Sequence, residues 1–76
     1  MNFKILGENI KATRSKRKLT QNQLAHKIGY TGPGAGAYIS RLESGKNRLR
    51  TDTLARLATA LGTTASALLK WATYQN

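Results

Sequence analysis

Three glycines punctuate this chain at helix-length intervals, and between them apolar residues recur three and four positions apart. Gly29, Gly45 and Gly62 each follow such a segment. Glycine adopts the left-handed backbone that closes a helix at least cost. The clearest segment carries Leu54, Leu57, Ala58 and Leu61 at i, i+3, i+4 and i+7, one face of a helix. Ahead of it, Leu24, Ala25 and Ile28 follow Thr20, a good N-cap. Phe3, Leu6, Ile10 and Thr13 define a first helix, and Thr64 introduces a last one with Leu68, Leu69 and Trp71. No strand alternation and no repeat interrupts this rhythm. The expectation is an all-α, compact five-helix domain over residues 1–76, with helices near 3–17, 21–28, 35–44, 52–61 and 65–73. Thr51 is expected to cap the fourth.

Between Gly29 and Ile39 the pattern loosens into Tyr30 to Gly36, which holds three glycines and the only proline. Pro33 either closes a turn or opens the third helix at its first position. With the firm start placed near Ala35, stepping 100° per residue puts Leu42 and Glu43 beside Ile39, facing inward. Ala37, Ser40, Arg41 and Ser44 then face out. Such a face, small residues with two hydroxyls and one guanidinium, lets a helix backbone approach another surface while Arg41 reaches forward. Arg14, four residues after Ile10, also falls on an inward face. A charge there needs a partner, and Glu43, one of only three acids, supplies it.

Charge narrows the function. Thirteen Lys and Arg stand against three Asp and Glu, a formal net charge of +10. Self-repulsion of that size points to a polyanion as the normal partner. Lys11, Arg14, Lys16, Arg17 and Lys18 cluster at the end of helix one, and Arg41, Lys46, Arg48 and Arg50 at the end of helix three. A membrane-surface helix would spread its cations along one polar face; two blocks flanking helices two and three favour nucleic acid. No apolar run reaches the roughly 18 residues of a membrane span, and the start is too polar for a signal peptide. No cysteine is present, which fits a reducing cytosol and removes thiolate metal sites.

Catalysis finds little to work with. Glu8, Glu43, Asp52 and the single His26 form no carboxylate pair and no metal-ligand spacing. The Gly-Pro-Gly-Ala-Gly run lacks a preceding strand and a Gly-Lys-Ser/Thr ending, so it is no phosphate-cradling P-loop. A non-enzyme with no metal and no cofactor is the expectation.

An ordered set of short motifs adds a family. Leu-Gly-Glu-Asn-Ile at 6–10, Arg14, Leu-Thr-Gln at 19–21, Leu-Ala at 24–25, Ile-Gly at 28–29, Tyr-Ile-Ser-Arg-Leu-Glu-Ser-Gly-Lys at 38–46, Thr-Leu-Ala-Arg-Leu-Ala-Thr-Ala-Leu-Gly at 53–62 and Leu-Leu at 68–69 occur in order. Over about four-fifths of its length the chain resembles lambda-repressor-like, or XRE-type, helix-turn-helix domains. The resemblance implies a helix-turn-helix at helices two and three and a DNA-binding transcriptional regulator. Repression is the commoner outcome, Cro-like repressors are among the family's small members, and the resemblance implies a dimer on a pseudo-palindromic operator. It places the protein in the cytoplasm of a bacterium, encoded by host or phage, on nucleoid DNA. Gly36, Ala37, Ser40 and Arg41 match positions that read base edges, and Tyr38 stands beside them as a further reader. Gln21, at a helix N-terminus, matches a phosphate anchor, and Lys46, Asn47, Arg48 and Arg50 match a backbone-gripping loop. Thr20, Arg17, Lys18 and Ser44 are further candidate phosphate contacts. Arg14 and Glu43 match a buried ion pair. An antitoxin whose partner is a protein toxin, and a restriction–modification controller, remain alternatives with the same fold.

Two features depart from a bare match. Family members run about six positions from the helix-two glycine to the helix-three isoleucine, around a short turn; here Gly29 to Ile39 spans ten. Near the C-terminus Leu68, Leu69, Trp71 and Tyr74 exceed what so small a domain is expected to bury, and an apolar patch of this kind marks a dimer interface.

Overall fold

The computed structural model describes residues 1–73, within which the chain folds as five helices: α1 (Phe3–Lys16), α2 (Gln21–Lys27), α3 (Ala35–Glu43), α4 (Thr51–Leu61) and α5 (Ala65–Leu68). α1, α2 and α5 begin where the backbone leaves extended geometry at a residue whose side chain satisfies an open amide. Asn2 accepts from the Ile5 N–H at 3.0 Å. Thr20 and Gln23 form a reciprocal capping box, at 3.0 and 2.8 Å, which satisfies two otherwise open donors. Thr64 accepts from the Ala67 N–H at 3.1 Å.

The ends follow the glycines. Gly29, Gly45 and Gly62 all have positive φ. At each, two backbone N–H groups turn back onto the last helical turn, as in Gly45 to Leu42 O and Lys46 to Arg41 O, at 3.2 and 3.1 Å. This is the paired closure that satisfies a helix's last carbonyls. α1 closes in the same way without glycine: Lys18 takes φ 58°, with its N–H on Ser15 O and the Leu19 N–H on Arg14 O.

The helices bury one shared core. Leu6 and Ile10 of α1, Leu24 and Ala25 of α2, Ile39 and Leu42 of α3, Leu57 and Leu61 of α4 and Leu68 of α5 are all nearly inaccessible. α3 lies against α1 and α2. The α1–α3 approach depends on Gly7, where an added Cβ would run into the Leu42 and Glu43 carbonyl oxygens.

Three expectations are corrected. Arg50, not Thr51, holds the N-cap of α4, and its side chain makes no capping bond; Thr51 is the first helical residue. The last helix does not run from 65 to 73 but stops after one turn at Leu68. Asn9 Nδ2 donates to the carbonyls of Leu68 and Lys70, both at 2.8 Å. Trp71 then turns at φ 68°, and Ala72 drops into the core, where its carbonyl accepts the Asn2 N–H at 2.6 Å. Leu68, expected at a dimer interface, is 1% exposed and belongs to this core. Leu69 is half-buried against the same core, Trp71 is 58% exposed, and Tyr74 lies outside the described residues.

Candidate nucleic-acid interface

α3 presents two contrasting faces. Ala35, Ile39, Leu42 and Glu43 are buried, while Ala37, Ser40, Arg41 and Ser44 are exposed. The outer surface is therefore nearly flat, with Arg41 as its one long side chain. Ser44 Oγ donates to Arg41 O at 3.0 Å, so its proton is turned back onto the helix.

The pose of that face is set by a polar cluster beneath it. Arg14 Nε donates to Glu43 Oε2 at 2.6 Å and Nη2 to Oε1 at 3.2 Å, the two-pronged geometry that fixes a carboxylate in plane. Arg14 Nη1 donates to Leu19 O at 2.8 Å. Gln21 Nε2 adds a third donor to Glu43, at 3.0 Å. Glu43 is only 6% exposed, yet among the described residues no buried side-chain polar atom lacks a partner. One carboxylate thus joins α1, the α1–α2 turn, the first residue of α2 and the end of α3. These bonds link α2 to α3 in addition to their apolar contact.

Around this centre the cations divide. Lys46, Arg48 and Arg50 are exposed on the α3–α4 loop, with Asn47 half-buried between them. Arg50 Nε lies 3.5 Å from Asp52 Oδ1, an open pair that contributes little in water. Lys18 projects from the α1–α2 turn, and Thr20 and Gln21 stand at the start of α2. Arg17 does something else. Its Nε donates to Leu61 O at 2.8 Å and its Nη2 to Gly62 O at 3.2 Å, so the guanidinium covers the C-terminal carbonyls of α4. A cation is favoured at that end of a helix dipole. Arg17, expected at a phosphate, is exposed and clamps α1 to α4 through these two carbonyls.

Two expected base readers also change place. Gly36 faces α2, and a Cβ there would strike the Asn22 side chain. It is a close-approach glycine, not part of the outer face. Tyr38 is turned to the opposite flank, where its ring stacks on Tyr30 with centroids 4.1 Å apart and planes 4° from parallel. Burial, and then the Tyr30 phenol, raise the Tyr38 hydroxyl above its ordinary pKa, while a hydrogen bond with Thr53 opposes them. The phenol stays protonated at neutral pH.

Residues 5–71 match a family model described as a helix-turn-helix domain. The chain belongs to that family. Comparison with curated proteins returns no match, and comparison with solved structures returns none either.

In this helix-turn-helix domain α2 and α3 are the paired helices, and the turn between them is long. Ala35 N–H reaches Gly32 O at 3.3 Å, so the chain is already coiling before α3 begins. Pro33 sits within the turn, not at the first helical position. Sequence reasoning missed Gly7, Asn9 and the role of Arg17. A small residue spaced with the apolar stripe of helix one was a signal for Gly7. For Asn9 and Arg17 the partners are backbone carbonyls, which no residue type advertises. Among the described residues no cluster of three His, Cys, Asp or Glu is placed to hold a metal ion, and no helix is long and apolar enough to cross a membrane.

Proposed function

We propose that this helix-turn-helix protein is a sequence-specific double-stranded DNA-binding regulator, acting as a repressor by occupying an operator. The observation that carries the reading is the exposed face of α3, small but for Arg41, and held at a defined angle to α2 by the Arg14–Glu43–Gln21 cluster. A helix with such a face fits the major groove, where a guanidinium reads guanine O6 and N7 together. Arg41 and Ser40 are the proposed readers, with Ala37 admitting the backbone or meeting a thymine methyl. Lys18, Lys46, Asn47, Arg48 and Arg50 are the proposed phosphate contacts. Thr20, whose Oγ1 only accepts from Gln23, joins them by donating its hydroxyl proton, and Ser44 does so by turning its proton from Arg41 O to the phosphate. Because Gln21 Nε2 is bonded to Glu43, its phosphate contact is proposed through the backbone N–H at the start of α2.

A dimer on a pseudo-palindromic operator is part of this proposal, supported by Trp71 exposed beside half-buried Leu69. Selection from random duplex DNA tests the reading. An enriched, two-fold symmetric motif is expected, and uniform binding of all sequences would replace operator recognition with attraction by charge. Sedimentation with and without the selected duplex reads the stoichiometry; one protomer per site would remove the dimer.

A further inference from the structure

The lengthened turn between α2 and α3 is pinned at both ends. At its start the Tyr30 N–H donates to Ala25 O at 2.9 Å, closing α2, and the Tyr30 ring stacks on Tyr38 of α3. At its end Ala35 N–H donates to Gly32 O, and Tyr38 N–H to Gly34 O at 3.2 Å. Between these anchors lie Thr31, Gly32, Pro33 and Gly34, all exposed. A loop with three positions of glycine or proline has little side-chain substance to hold it. The aromatic stack is the side-chain contact that ties its start to the helix.

The chemistry of this tip suits a duplex. No acid lies between Tyr30 and Arg41, so nothing there repels phosphate. Gly32 and Gly34 carry no side chain, so the backbone can come close to another surface. The tip leads directly into the helix whose exposed face carries Ser40 and Arg41. A recognition helix contacts base edges through its N-terminal residues, so whatever precedes it is carried to the groove wall. Tyr30 is 43% exposed, with one face of its ring covered by Tyr38. The stack therefore references the tip to α3, the helix with the exposed Ser40 and Arg41 face.

We infer that the inserted turn is a second duplex-contacting element, applied to the sugar–phosphate wall beside the bases met by α3, and that Tyr30 is the residue that positions it. This rests on the DNA-binding reading above. Stacking fixes the tip before binding, so the loop need not be ordered at the moment of contact.

The test uses the full chain and the duplex returned by selection. Tyr30→Ala should lower affinity for that duplex about ten-fold by restoring the ordering cost, and should weaken random duplex as well, with the salt slope unchanged because no charge is altered. Tyr30→Phe keeps the ring and should restore wild-type affinity to within about two-fold. Thr31→Glu places a negative charge at the tip and should weaken selected and random duplex alike, with a flatter salt dependence. Thr31→Glu provides the reading should Tyr30→Ala fail to fold. Selection by the wild type, with Thr31→Glu binding undiminished, would overturn this inference alone. A wild type that selects no sequence would overturn the DNA-reading proposal with it.

Discussion

Arg41 and Glu43 are two positions apart on one helix, and their surroundings give them opposite roles. Arg41 faces solvent, where a guanidinium is inexpensive to keep and free to meet a base. Arg41→Ala should therefore leave folding intact and weaken the selected site by about 1–3 kcal/mol, with discrimination relaxed at one base position. Equal weakening on random duplex in a competition assay would make Arg41 a phosphate contact. Glu43 is buried under three donor contacts from two side chains. Glu43→Leu strands the Arg14 charge and should cost about 3–5 kcal/mol in urea unfolding. Adding Arg14→Met should recover much of that stability, because the pair's desolvation penalty disappears with the pair. The double variant's DNA binding then reports whether the cluster holds α3 in its working pose.

At the scale of the element, each helix is specified by its ends and by one close crossing. α1 ends on Lys18 at φ 58°, a left-handed conformation that costs a non-glycine residue about 1 kcal/mol or more. Lys18→Gly should raise stability by about 0.5–1 kcal/mol in thermal or urea unfolding. DNA affinity should fall in the same variant, since the phosphate contact proposed for Lys18 is lost. Movement of the two measurements in opposite directions is the expected signature; parallel movement would make Lys18 a structural residue only. The α1–α3 crossing is less forgiving. Gly7→Ala drives a methyl group into the Leu42 and Glu43 carbonyls, so a loss of about 2–3 kcal/mol is expected from overpacking at a fixed backbone. An unchanged unfolding midpoint would mean that the helices separate freely there. α5 shows the reverse case: its apolar spacing extends to Trp71, yet the helix stops when Asn9 takes the Leu68 and Lys70 carbonyls.

For the whole molecule, the formal charge of +10 is unevenly used. Arg14 is spent on a carboxylate, so it adds nothing to the charged surface, while Arg17 is held at the end of α4. The α3–α4 loop, with Lys46, Arg48 and Arg50 exposed, concentrates the field beside α3. Arg48→Ala should weaken all duplexes alike and reduce the slope of log affinity against log salt by about one unit, the release of one counterion. An unchanged slope would place Arg48 away from the phosphates. Gathering cations on one side also steers encounter, so association should slow more steeply with salt than dissociation quickens.

The sequence alone determined what depends on neighbours three or four residues away. Caps at Thr20 and Thr64, closures at Gly29, Gly45 and Gly62, and the two faces of α3 all follow from the chain's local chemistry, where each group's partner lies within one turn. Arg14 with Glu43 was also legible across 29 positions, because two lone charges on apolar faces in an acid-poor chain have almost no other partners. The tertiary structure alone decided the rest: Arg17 on Leu61 O and Asn9 on Leu68 O, 44 and 59 residues away, the early stop of α5, Gly36 against Asn22, and Tyr30 folded onto Tyr38. In the first two the acceptor is a backbone carbonyl, which every residue carries and none announces. The others turn on how closely two elements approach, a distance set by the packing of all the helices together.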